Sequence, residues 1–228
     1  MTGITERLSE LRTRIEAALL RCGEPEREVT VLAVTKGHPA ATVDQVAAAG
    51  LVEIGENRVA EAIEKAALVN HDVRWHMIGH LQRNKVKRAV TLFDCIHSVD
   101  SVRLARALGE TEAPIEIFLE INVSGEAAKQ GAAPESAREV RLEALRHPSL
   151  RTVGLMTMAP WTEDPESVRP VFRNLRALRD ELNRLGDGPP LPLLSMGMSG
   201  DFEVAVEEGA THVRIGTALV GGIPGSTR

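Results

Sequence analysis

No tyrosine occurs among the 228 residues, which include only four phenylalanines and two tryptophans, so chemistry that needs a phenol as acid or base is excluded. Cysteine is nearly as scarce: Cys22 and Cys95 alone cannot make a disulfide framework or a four-thiolate zinc site. No apolar stretch reaches roughly 18 residues, the length of a membrane span. The N-terminal segment from Thr2 to Arg12 is charged from the start and carries no signal-peptide core, which sets the expectation of a soluble, cytoplasmic protein. Long basic runs are missing too. The densest is Lys85-Val86-Lys87-Arg88, and 27 Lys+Arg against 32 Asp+Glu leave a net charge of −5. That balance argues against a nucleic-acid partner.

What is present is a composition able to fill a core: 43% hydrophobic, 26% charged, with 19 glycines. Ile4, Leu8, Leu11, Ile15, Ala18 and Leu19 recur at three- and four-residue steps, predicting a helix over 3–21 that Cys22-Gly23 and Pro25 end. From Val29 onward, short apolar runs alternate with helix-like stretches. Strands are expected at 29–35, 51–54, 73–78, 93–97, 115–123, 150–156, 193–195 and 212–215. Helices are expected at 39–49, 58–68, 85–90, 102–108, 135–145, 165–185, 201–208 and 217–220. These strands are mostly apolar rather than alternating, as in a parallel sheet covered by helices. Eight such units favour a closed (β/α)8 TIM barrel with an extra N-terminal helix; a doubly wound open sheet is the rival. Residues 1–228 read as one domain with the barrel at about 29–222, and Gly186–Pro192 fits a connecting loop.

Barrels carry their chemistry at the C-terminal ends of the strands. Seven of the eight expected strand ends hold polar or special residues: Lys36; Glu56, Asn57 and Arg58; His76 and His80; Asn122 and Ser124; Met156 and Thr157; Ser199; Arg214 to Thr217. Such repetition points to one shared pocket. Lys36 has two readings. Its stem against hydrophobic walls would desolvate the ammonium and free an amine that attacks carbonyls; alternatively it snorkels to solvent.

The segment Ser195-Met-Gly-Met-Ser-Gly-Asp201 is a Gly/Ser turn opening a helix, and Arg214-Ile-Gly-Thr217 supplies a second turn. Free N–H groups in such places receive anions, and barrel phosphate sites lie in the loops after strands seven and eight. The ordinary reading is capping by Ser199 or Asp201 and a tight turn at Gly216. Two turns facing a lysine favour a phosphate-bearing carbonyl ligand, and pyridoxal 5′-phosphate meets both requirements. Arg214 is read either as paired with a barrel glutamate or as set beside the ring nitrogen. In the second case the guanidinium keeps its protons and leaves the ring a weak electron sink. No Glu follows His76, so the helical zinc-protease motif is absent, and no metal is expected. Met77, Met156, Met158, Met196 and Met198 are expected to fill core gaps, and 85–88 to be a solvated helix face.

Several segments together resemble the pyridoxal phosphate homeostasis proteins: Ala33-Val-Thr-Lys36 with Pro39, Ile54-Gly-Glu-Asn57, Trp75-His-Met-Ile-Gly-His-Leu-Gln-Arg-Asn-Lys85, Gly154-Leu-Met-Thr-Met158, Leu194 to Asp201, and Val213-Arg-Ile-Gly-Thr217. The resemblance runs in order from about residue 5 to 222. It implies an alanine-racemase-like barrel, monomeric, holding pyridoxal 5′-phosphate as a Schiff base on Lys36. It further implies phosphate contacts from Ser199, Gly216 and Thr217, Arg214 at the pyridine nitrogen, and Asn57 and His80 lining the pocket. The implied role is to bind, buffer and deliver the cofactor, with related B6 vitamers as ligands and apo-enzymes that use it as recipients. No catalytic turnover is established for the family. Gly37-His38 depart from the Thr-Lys of many relatives, which affects the outer pocket.

The enzyme alternative is a racemase-like protein of the same fold. Two-base racemisation there uses a tyrosine opposite the lysine and a separate C-terminal β domain. This chain lacks tyrosine and is read as ending about where the barrel ends; a histidine can serve as second base, so the missing phenol alone does not decide. A lysine Schiff-base aldolase shares Lys36 and the cradle but not the signature segments.

Overall fold

A computed structural model describes residues 3–126 and 130–222. The first helix, α1 (Ile4–Arg21), buries Leu8, Leu11, Ile15, Ala18 and Leu19 and exposes the intervening charged residues, as its spacing requires. It stops where Gly23 takes a positive φ of 76°.

Eight strands follow: β1 (Thr30–Val34), β2 (Glu53–Glu56), β3 (Arg74–Met77), β4 (Cys95–Val99), β5 (Ile115–Glu120), β6 (Leu150–Met156), β7 (Leu193–Met198) and β8 (His212–Ile215). Each pairs in parallel with the next, and β8 returns to β1 through Thr30 opposite His212 and Ala33 opposite Ile215, closing the barrel. After the strands come α2 (Ala40–Ala48), α3 (Val59–Ala66), α4 (Val86–Ala89), α5 (Val102–Gly109), α6 (Ala137–Leu145), α7 (Arg169–Leu185), α8 (Phe202–Glu207) and α9 (Thr217–Val220). The fold is therefore a (β/α)8 barrel with one added helix, and the open-sheet rival is set aside.

The added helix docks on the outside of the last two units. Arg14 pairs with Glu203 at 2.5 Å, Arg21 with Glu207 at 2.6 Å, and Arg7 Nε donates to the Leu219 carbonyl. The longest covering helix, α7, buries Phe172, Leu175 and Leu182. Each such apolar side chain contributes about 1.5–3 kcal/mol by leaving water.

Several strand bounds differ from the sequence expectation. Leu51 belongs to the turn closing α2, where its N–H donates to the Val46 carbonyl at 3.2 Å, so β2 starts at Glu53. Beyond Glu120 the pairing of β5 shrinks to an isolated bridge between Ile121 and Ala132. The seventh strand runs on to Met198, with a register shift against β8 between Ser195 and Met198. Gly197 sits in that irregularity at φ +93°, and a Cβ there would lie 2.6 Å from Ala205. Glycine alone lets the strand turn so close to α8.

The lumen is not wholly apolar. His97 on β4 reaches Ser195 on β7, three strands round the barrel. His76, Phe118 and His212 pack around it.

Candidate functional site

A cavity of about 590 Å³ lies at the C-terminal ends of the strands, within the roughly 300–1,000 Å³ usual for small-molecule sites. It gathers Lys36, Asn57, Ser199, Arg214, Gly216 and Thr217. His80 is not among its lining. Its ring lies in a neighbouring depression with Gln82, Arg103 and Asp100, 44% exposed, its Nδ1 3.5 Å from Asp100. The structure thus brings together six of the seven residues expected there. Asn122 and Ser124 bond to each other at 2.9 Å and also stand outside the lining.

Lys36 occupies the turn just beyond β1 and is exposed, which agrees with the reading in which its side chain reaches solvent. Val34 and Ile78 supply an apolar wall beside it. The backbone on both sides is fixed. The Thr35 carbonyl accepts from Lys65 Nζ at 2.8 Å, and the Thr35 hydroxyl donates to Glu56 Oε1 at 2.6 Å. The Gly37 N–H donates to Glu61 at 2.6 Å. Lys65 itself is 5% exposed and pairs with Glu56 Oε1 at 2.5 Å. Burial pushes the Glu56 carboxyl up, against the pull of Lys65 and Thr35. For Glu61 burial also acts upward, but the Gly37 N–H and Lys65 outweigh it and its pKa falls. His38 is buried beneath this turn, and neither it nor Gly37 lines the cavity.

Asn57 follows β2, and its backbone is held by a close approach of Gly79, where a Cβ would come within 2.5 Å of the Asn57 carbonyl oxygen. Its Oδ1 is buried with no hydrogen-bond partner among the described residues. An acceptor left so at a cavity wall is suited to a ligand's donor.

Across the mouth, the turn at 198–201 is closed reciprocally: Met198 N–H donates to Asp201 Oδ1 at 2.5 Å, and Asp201 N–H to the Met198 carbonyl at 3.1 Å. Asp201 is the N-cap residue of α8, yet its side chain makes no capping bond forward into the helix. The Ser199 hydroxyl instead accepts from Ala218 N–H, across the gap between the two turns.

Arg214, 4% exposed, donates to the Ser195 carbonyl at 2.8 Å, the Ser195 hydroxyl at 2.9 Å and the Thr157 carbonyl at 2.8 Å. No glutamate pairs with it among the described residues; Asp201 and Glu120 act on it through space. Burial lowers its pKa to about 10, with those two acids opposing. It therefore stays protonated at pH 7.

Other lining residues carry no mark of a site role in their residue type or spacing. Met158 and Met198, expected as core fillers, line the cavity, whereas Met77, Met156 and Met196 are buried as expected. Pro160, Trp161 and Thr162 of the loop after β6 form part of the rim, with Trp161 86% exposed. Residues 85, 87 and 88 are exposed, as a solvated helix face requires.

Residues 7–224 match the family described as alanine racemase, N-terminal domain. The chain is 45% identical over 221 residues to the pyridoxal phosphate homeostasis protein of Aquifex aeolicus, covering 95% of this chain and 96% of that protein. The chain belongs to the pyridoxal phosphate homeostasis protein family. The same-named protein of Pseudomonas aeruginosa is 41% identical, covering 97% of this chain and 96% of that one. Among solved structures, PipY of Synechococcus elongatus with PLP bound superposes at a TM-score of 0.84 and 36% identity, covering 96% of this chain and all of that one. The resemblance read from the signature segments and the barrel fold is thus established. Among the described residues no helix is long and apolar enough to cross a membrane.

Proposed function

We propose that this pyridoxal phosphate homeostasis family member binds pyridoxal 5′-phosphate in the mouth cavity, attached to Lys36 as a Schiff base. It buffers the cofactor inside the cell and delivers it to apo-enzymes without turnover of its own. The observation that carries this reading is the convergence of Lys36, Arg214 and the 199–200 and 216–217 turns on one cavity. The PLP-bound state of PipY supports the ligand's identity.

When bound, the cofactor supplies an aldehyde that condenses with an amine, releasing water, and a ring that can spread negative charge. The surrounding side chains determine how far that chemistry goes. Lys36 offers the amine from a turn pinned on both flanks. Ser199, Gly216 and Thr217 stand where they can receive the phosphate. Arg214 keeps its proton and would hold the ring nitrogen by a hydrogen bond without protonating it, leaving the ring a weak sink for negative charge.

The racemase-like alternative needs a second base facing Lys36. The titratable groups of the lining are Lys36, Asp201 and Arg214, and Asp201 is engaged by its own turn. That arrangement favours the carrier.

Borohydride reduction of the cofactor-loaded protein followed by peptide mapping tests the reading. The expected adduct has the mass of reduced pyridoxal phosphate on Lys36. Attachment at another lysine, or no adduct, refutes it. Alanine racemisation well above that of free cofactor would restore the enzyme reading.

A further inference from the structure

Below the cavity, four polar side chains continue inward from Arg214 along the lumen. Ser195 Oγ lies 2.9 Å from His97 Nδ1, and His97 Nε2 lies 2.9 Å from His76 Nδ1. His76 Nε2 in turn contacts a carboxylate oxygen of Glu53 at the start of β2. Ser195, His97 and His76 are at most 1% exposed, whereas the Glu53 side chain is 23% exposed.

The proton positions along this row are set by its two ends. A guanidinium can only donate and a carboxylate only accept. Arg214 therefore donates to Ser195 Oγ, which leaves the serine proton for His97 Nδ1. His97 must then carry its proton on Nε2 and donate to His76 Nδ1, so His76 carries its own on Nε2 and donates to Glu53. Every donor finds an acceptor with both imidazoles neutral. The reverse polarity needs an added proton on His76 and aims two donors at Ser195 Oγ, whose own proton then loses its acceptor.

The surroundings agree. Burial first, then competition for a proton with the His76 and His212 imidazoles and the charges of Arg214 and Arg74, hold His97 uncharged, well below the ordinary histidine pKa. Burial alone would raise Glu53, but the bond from His76 and nearby positive charges keep it ionised. Phe118 stacks on His97 at 4.2 Å between centroids, fixing the ring plane. Cys95 Sγ lies within 4.8 Å of ligand atoms on both imidazoles. An ion held tetrahedrally at about 2.1 Å separates two imidazole nitrogens by about 3.4 Å. The observed 2.9 Å is a hydrogen bond instead, and burial pushes the Cys95 thiol well up, away from thiolate.

We propose that Ser195, His97, His76 and Glu53 form a one-directional hydrogen-bond relay that fixes the Arg214 guanidinium beneath the cavity. Ser195 and His97 are thereby positioning residues for the ring-nitrogen contact, a role that rests on the cofactor reading above. The relay itself is a property of the chain without ligand.

Two measurements test it. Nitrogen-15 NMR of the histidines in cofactor-free protein should find His97 and His76 both neutral with the proton on Nε2; a proton on Nδ1 of His97 overturns the relay. In loaded protein, Ser195→Ala should speed cofactor dissociation about tenfold, the effect of losing one hydrogen bond to a charged group. It should also shift the visible absorption band, with Ser195→Thr restoring both. A folded Ser195→Ala protein matching wild type in rate and spectrum overturns the positioning role. If wild type itself retains no cofactor, the functional reading falls, and the NMR result alone decides the relay.

Discussion

The Ser199 hydroxyl accepts a hydrogen bond from the Ala218 N–H at 3.3 Å, tying the turn after β7 to the first turn of α9. One side chain thus sets the spacing of the two turns proposed to receive the phosphate. Ser199→Ala removes both this tie and a direct donor. Retention of pyridoxal phosphate should weaken by roughly fivefold to tenfold, and that of pyridoxal far less. Equilibrium dialysis with the two ligands decides it: equal losses would move the phosphate elsewhere.

Lys36 is exposed and the described bonds of its turn are made by its neighbours, so Lys36→Ala should leave stability within about 0.5 kcal/mol. The wild-type protein with cofactor should be yellow and the variant colourless. Absorption spectra paired with urea melts separate the two effects. Retained colour in a folded variant would assign the attachment to a different amine.

Lys65 and Glu56 form a buried pair behind the same turn. Lys65→Met leaves the Glu56 carboxylate buried without its cation and should cost about 3–5 kcal/mol. Adding Glu56→Gln should recover much of that loss. Urea denaturation of single and double variants provides the comparison, and a loss under about 1 kcal/mol for Lys65→Met, as for exposed pairs, contradicts the account.

Glu120, on β5, is 2% exposed with Oε2 unpartnered among the described residues. Burial chiefly, then Asp100, raises its pKa from 4.5 to about 7, with Arg214 opposing. Between those values the folded chain holds a proton that the unfolded chain has lost. Stability from this group is full below the unfolded value and declines as pH rises through about 7, by roughly 3 kcal/mol in all. Glu120→Gln should flatten the fall across that window in melts taken at several pH values; an unchanged slope would show that Glu120 ionises freely.

Much of the barrel is legible in the amino-acid sequence. Apolar runs broken by helical spacing mark eight strand–helix units, because strands covered on both sides need no alternation. Strand ends are less legible, since Leu51 is apolar for the sake of a turn and β7 is prolonged by an irregularity at Gly197. Lys36, Asn57, Ser199, Arg214, Gly216 and Thr217 converge as their positions at or just beyond strand ends imply. His80 could not be separated from them by spacing: one residue beyond Gly79, the chain has already turned toward Asp100. The lumen residues are hidden for another reason. His97 and Ser195 look like ordinary strand residues until closure of the barrel sets them face to face.

The rim residue Trp161 and the wall residue Trp75 are the two tryptophans of the chain, the first 86% and the second 6% exposed. Intrinsic fluorescence therefore combines one solvated emitter at the cavity edge with one shielded emitter within β3. An absorbing guest in the cavity would dim the red-shifted component first, so the protein carries its own optical gauge of occupancy.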